Sequence, residues 1–255
     1  MSRPSLSGAV SAEFLKLRGT LAAWMCLIAP ALVVAVYVLQ MNFVQLGNKP
    51  PPAPGQAWAL YAQSVLVLWA FLMLPLFVTL QAALLAALEH GNQQWKHLLA
   101  LAVPRRHHFL AKAFALAAML LAASAALVLL MPIGGWLLMH TRPQLGIAGP
   151  PPWDFLLSRG AAIFAAAMLM AAIQLWIALR WRSFTIAVGV GMGATVAGYL
   201  IGQSKQFGHL YPWSMPLHTL ASDGSRMHSV LVVGLIGAAA IGALALWDFL
   251  RREHP

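Results

Sequence analysis

Charge is scarce in this sequence. Of 255 residues only 9% are ionised and 61% are hydrophobic, against about a quarter charged in an average soluble domain. Too few charged groups are present to cover a water-facing surface, so an ordinary soluble core is excluded. Cysteine is nearly absent as well: a single Cys26 rules out an intrachain disulfide. Trp24 and Met25 before it are too bulky for a lipid-attachment site, and a small apolar side chain among others is its plain reading. A phosphate-binding Gly-x-x-x-x-Gly-Lys-Ser/Thr loop is also missing, so any ATP hydrolysis must come from another chain. The apolar interior lacks Asp, Glu, Lys and Arg near the middle of its long runs, which argues against a proton relay working alone.

What is present are long apolar runs, each able to cross a bilayer as a helix at about 1.5 Å per residue. Six spans are expected, at 21–44, 57–88, 109–139, 161–179, 184–202 and 230–250. The ten-residue alternating strands of a β-barrel do not occur. The second and third runs exceed one crossing, and Pro30, Pro75 and Pro132 are candidate kink points. The first run is long and lacks a small-residue cleavage site, so it reads as a retained helix. The expectation is an all-α polytopic membrane protein, with 1–255 a single domain.

Before the first span, Leu6, Val10, Phe14 and Leu17 recur at helical spacing while Glu13, Lys16 and Arg18 lie off that stripe. Residues 1–19 therefore read as an amphipathic helix lying in the interface. Lys and Arg are unevenly divided. With the N-terminus inside, Arg3, Lys16, Arg18, Lys96, Arg105, Arg106, Lys112, Arg180, Arg182, Arg251 and Arg252 lie inside. Lys49, Arg142, Arg159, Lys205 and Arg226 lie outside. Eleven against five places both termini in the cytoplasm. The net charge of +10 is scattered between apolar runs, so it suits anionic lipid headgroups and not nucleic acid. Outer segments 48–55 and 149–152 are Pro-rich. The last one, 203–229, carries Phe207, Tyr211 and Trp213 as interface anchors; both a partly re-entrant pair of short helices and an ordinary surface loop fit it.

No catalytic constellation emerges. The nine histidines fall near span ends or in loops, without a serine partner at membrane depth. His90, His97, His107 and His108 crowd one insert but no Cys or carboxylate set completes a metal site. Gln63, Gln81 and Gln174 are neutral polar groups inside spans: they could line a substrate path, and they could equally hydrogen-bond a neighbouring helix. Gly189/Gly193 and Gly198/Gly202 give the fifth span two small-xxx-small spacings, suited to packing within the chain or across a dimer.

The polar insert at 89–108, between the second and third spans, is the most patterned stretch. Gly91-Asn92 breaks the second helix and Asn92 is a good N-cap. Trp95, Leu98, Leu99 and Ala102 then recur at helical spacing until Pro104, followed by Arg105 and Arg106. A short rigid helix that fits a partner's groove and an interfacial helix resting on lipid both satisfy this pattern.

The run E-x-G-x-x-x-W-K-x-L-L-A-L-x-V-P-R-R-x-x-F-x-x-A-K resembles the cytoplasmic loop of ABC-2 type permeases, closest to the lantibiotic and peptide-antibiotic immunity branch. Glu89, Gly91, Trp95, Lys96, Leu98, Leu99, Pro104, Arg105 and Lys112 carry the match. Glu13 to Thr20 is similar to that family's pre-membrane helix, and Tyr211 to Pro216 to its last outer loop. Asn92-Gln93-Gln94 adds a residue before Trp95, and His107-His108 replaces more typical polar residues. The resemblance implies a permease in a bacterial inner membrane, paired with a second identical or homologous permease and with two ATPase subunits that bind the ATP and Mg. This chain would then hold no cofactor and make no bonds. Its 89–108 insert would act as the coupling helix, its first and fifth spans would meet across the dimer, and an amphipathic or hydrophobic substrate would be exported. The alternative from another class is a membrane scaffold that anchors soluble partners.

Overall fold

The computed structural model describes residues 5–44, 52–90 (the backbone alone at 88–90), 104–181, 183–221 and 226–251. Among these there is no strand. Helix α1 (Leu6–Leu17) starts where the Ser5 hydroxyl accepts the Gly8 N–H, and it stops at Arg18. Gly19, with φ 75°, then turns the chain into α2 (Leu21–Phe43), a left-handed conformation that only glycine adopts cheaply. The second span is α3 (Pro54–Leu68), a π-helical turn (Trp69–Met73) and α4 (Leu74–His90) in series. Then follow α5 (Arg105–Thr141), α6 (Trp153–Arg180), α7 (Phe184–Gly202), the single turn α8 (Met215–His218) and α9 (Met227–Arg251).

Six helices among the described residues are long and apolar enough to cross a membrane. They fall where the apolar runs place them, with extended ends. The third span begins at Arg105, four residues before the expected 109, so the insert closes at Pro104 and Lys112 lies two turns inside a helix. The fourth begins at Trp153, eight residues early, because Pro152 sets the start and Asp154 sits favourably in the first turn.

The π turn has a local cause. Pro75 has no N–H to offer the Phe71 carbonyl, and its ring crowds that turn. The backbone widens there and the Leu74 N–H reaches Trp69 O, five residues back. Pro30 and Pro132 instead lie inside continuous helices.

Packing centres on α5, which lies against α1, α2 and α6, while α4 lies against α6 and α7, and α6 against α9. Gly134 and Gly135 let α5 approach its neighbours closely. A methyl on Gly134 would collide with Tyr61 and Val34, and one on Gly135 would enter the ring of Trp58. The Tyr61 hydroxyl donates to Met131 O at 2.8 Å. At the bundle end away from α1, the connections are tied down by side chains. Arg142 donates to Asn42 O (2.8 Å) and Val44 O (2.6 Å), closing the last turn of α2. Arg159 donates to Thr219 O at 2.6 Å. Segment 203–221 folds back as helical turns on the bundle, with Trp213, Ser214 and Met215 buried and Tyr211 donating to Ala194 O at 3.0 Å.

Candidate functional site

The insert expected to carry function leaves α4 at His90 and returns at Pro104. Gly91, Trp95, Lys96, Leu98 and Leu99 lie outside the described residues. Glu89 is placed in the last turn of α4, Pro104 is the N-cap of α5 and Arg105 its first residue. What the structure describes is the pair of roots on which the insert stands.

A buried ion pair joins those roots to α1. Glu13 and Lys112 are 2% and 1% exposed. The Lys112 ammonium donates to Glu13 Oε2 at 3.2 Å and to the Leu85 carbonyl of α4 at 3.3 Å. Lys16, one turn along α1, holds Glu13 Oε1 at 2.9 Å. One lysine thus touches α1 and α4 from its own place on α5. Burial pulls the Glu13 carboxyl upward, but the charges of Lys112 and then Lys16 more than offset it and hold the group below its ordinary range. Removing one partner from such a pair costs about 3–5 kcal/mol, because the other charge is left without compensation.

Glu13, expected off the apolar stripe, is turned into the protein. Glu13 and Leu17, four residues apart, face the protein, whereas Leu6, Phe14 and Leu15 are exposed. Of the apolar stripe, Leu6 and Phe14 are exposed, Val10 is half-buried and Leu17 is buried, which leaves the start of the helix free to lie on lipid. The missed signal was available in the sequence: a single carboxylate on a short helix and a single lysine inside an apolar run each need a partner.

Three residues further toward the insert, Phe109 anchors α5 to the other side of the bundle. Its ring lies 5.8 Å from that of Phe249 on α9. Beside them Asp248 accepts from Trp176 Nε1 (2.9 Å) and from Arg180 Nη1 (2.9 Å). Arg180 is over a third exposed, so its share is below about 1 kcal/mol. The first two turns of α5 are therefore attached to α1, α4, α6 and α9 at once. That arrangement can carry displacement from the insert into the bundle; it holds no nucleophile and base pair. Among the described residues no three His, Cys, Asp or Glu side chains converge on a metal position.

The glutamines donate within the chain, while the buried Oε1 atoms of Gln81 and Gln174 have no hydrogen-bond partner among the described residues. Gln81 donates to Ala22 O at 2.8 Å and Gln174 to Ala187 O at 2.7 Å, both wholly buried; Gln63 donates to Leu220 O at 2.9 Å. Each pins its helix to another segment. The glycines of α7 divide into two faces. Gly189 and Gly193 look onto open space, while Gly198 packs on Trp213 and Tyr211 and Gly202 on Ser214. Gly191, which belongs to neither small-xxx-small pair, is buried against Thr79 of α4.

No curated protein matches the chain. The family described as ABC-2 family transporter protein matches residues 9–198, from α1 to near the end of α7. Those 190 residues, about three quarters of the chain, include the ion pair and both roots of the insert. The chain belongs to the ABC-2 transporter family, whose members are membrane permease subunits of ABC transporters and work with an ABC ATPase.

Proposed function

We propose that this permease is the pathway-forming part of an ATP-driven exporter in a bacterial inner membrane, with α1, the insert and both termini cytoplasmic. The observation that carries this reading is the buried junction of Glu13, Lys112 and Leu85 O at the roots of the basic insert between the second and third spans. The helix expected over Asn92–Val103, docked on an ATPase, would push on α4 and α5 there, and rigid packing would pass the motion into the bilayer. The Lys and Arg bias supports the orientation. So does the use of Arg142 and Arg159, on the sparser side, as ties for loop carbonyls.

The route for substrate would lie between two permeases. Gln81 and Gln174 are enclosed within one chain, and α2 and α7 keep most of their surface outward. The open Gly189/Gly193 face suits close approach of a second copy or of a homologous permease. Outward surfaces this apolar suit an amphipathic or hydrophobic cargo such as a peptide antibiotic, a lipid or a drug. Two ATPase subunits would bind the ATP and Mg.

The test is co-purification of the affinity-tagged chain with its ATPase, followed by ATP turnover in lipid nanodiscs. Trp95→Ala should cut turnover about tenfold or more, in line with loss of a buried aromatic anchor worth 2 kcal/mol or more. Binding of soluble partners with no nucleotide dependence would instead support a scaffold.

A further inference from the structure

Lys112 donates at once to a carboxylate of α1 and to a main-chain oxygen of α4. The insert is bounded by α4 on one side and α5 on the other. Motion of the insert shifts these two ends together or apart. With Leu85 O and Glu13 sharing one ammonium, the ends cannot separate without stretching the Lys112–Leu85 O contact, and α1 cannot leave α5 without breaking the Glu13–Lys112 pair. A neutral hydrogen bond would yield cheaply; an ion pair at 1–2% exposure does not, because each charge would be stranded away from water. Helix α1 packs on α5 but is covered along only part of its surface. Only Glu13 and Leu17 of its twelve residues are buried, and it joins α2 through a glycine turn.

We infer that Glu13 and Lys112 are positioning residues for energy coupling: their ion pair clips α1 to the roots of the insert, so that α1 follows the insert as part of one rigid unit. This rests on the coupling role proposed above. It adds that α1 is a follower whose movement is set by Lys112, not a second independent contact for the ATPase. Lys16 shares the carboxylate from α1 itself and is partly exposed, so its bond to Glu13 lies within one helix.

Pulsed electron paramagnetic resonance on the whole complex in nanodiscs tests this. Nitroxides are placed in a Cys26→Ser background at Ser11 on α1 paired with Leu110 on α5, or at Ser11 paired with Ser158 on α6. All three positions are exposed. Samples are compared at rest and after trapping with ATP and vanadate. In the wild type the Ser11–Leu110 distance should stay single and narrow in both states, while Ser11–Ser158 shifts on trapping. In Glu13→Gln, and in Glu13→Gln/Lys112→Met, Ser11–Leu110 should split and the Ser11–Ser158 shift should be lost. The double variant leaves neither charge stranded, so it should melt close to wild type and separate coupling from folding. A double variant with wild-type distances in both states would overturn the inference, as would a wild-type Ser11–Leu110 distance that changes on trapping. If no ATPase co-purifies, the transport reading fails. The resting-state comparison of wild type with the double variant then still decides whether the clip holds α1.

Discussion

Replacing Gly135 by alanine probes a close helix contact in the bundle. A Cβ at this position would overlap Cη2 and Cζ3 of Trp58. That ring cannot yield as the end of a flexible chain would. Trp58 is 3% exposed, donates Nε1–H to Gly149 O at 3.3 Å, and meets Tyr61 edge-on with centroids 5.7 Å apart. Making room means swinging the whole indole. Overpacking of a filled site costs about 1–3 kcal/mol, and the displaced ring also gives up an aromatic edge contact worth about 0.5–1.5 kcal/mol. Its weak hydrogen bond adds about 0.5 kcal/mol. One movement incurs all three losses, so the sum is about 2–5 kcal/mol. For a chain of this size that corresponds to a melting temperature lower by on the order of 10 °C. Scanning fluorimetry of the detergent-solubilised permease measures it. Trp58→Phe removes the colliding part of the ring, so Gly135→Ala/Trp58→Phe should recover about 1–3 kcal/mol in a double-mutant cycle. Gly193→Ala faces open space and should not destabilise the chain. A Gly135→Ala protein that melts within about 2 °C of wild type, or no coupling to position 58, would refute this account of the packing.

Two further outcomes follow from the ties at either end. Glu13 sits below its ordinary value of 4.5 through Lys112 and Lys16, the charged groups that face it, with Leu85 O alongside. A lowered carboxylate contributes stability above its unfolded value and loses it as pH falls through the folded one. The melting gap between wild type and Glu13→Gln should therefore hold constant from about pH 8 to pH 6 and close only below 4.5, as read from melts across that range. Arg142→Gln leaves Asn42 O and Val44 O without their charged donor, which should cost about 1.5–3 kcal/mol. Arg142→Lys keeps the charge but not the fork, and should recover less than half of the lost melting temperature.

The architecture was legible because bilayer length is written directly in apolar runs. The fifth span matches its expected limits of 184 and 202 at both ends. Helix starts were less legible where polar residues belong to the helix: Arg105 to His108 read as loop, yet they form the first turn of α5 because Pro104 presets its entry. The junction was half visible. Lys112 and Glu13 were each noticed, but 99 residues separate them, and helical periodicity assigned Glu13 to the polar outside. A stripe rule sorts side chains by polarity and has no term for a charge that is buried because its partner arrives from another helix. The same limit applies to glycines. Spacing grouped 189, 193, 198 and 202 together, whereas the five-residue step from 193 to 198 turns the second pair onto Trp213 and Ser214.

The wide turn at Trp69–Met73 has a consequence for the span that leads into the insert. Trp58, Ala62, Leu66, Ala70, Leu74, Val78, Ala82 and Ala86 are all 3% exposed or less, and they repeat every four residues. An α-helix turns once in about 3.6 residues, so each such step leads by about 40°, and an unbroken row would wind around the rod instead of facing one way. The five slower residues of the π turn take back roughly 90° of that lead. Over the seven steps from Trp58 to Ala86 the lead totals about 280°, so the turn offsets about a third of it, and neighbours on several sides of the span cover the remainder. Pro75 thereby fixes the angular phase between the two halves of the second span, and through Leu85 it sets where Lys112 finds its oxygen.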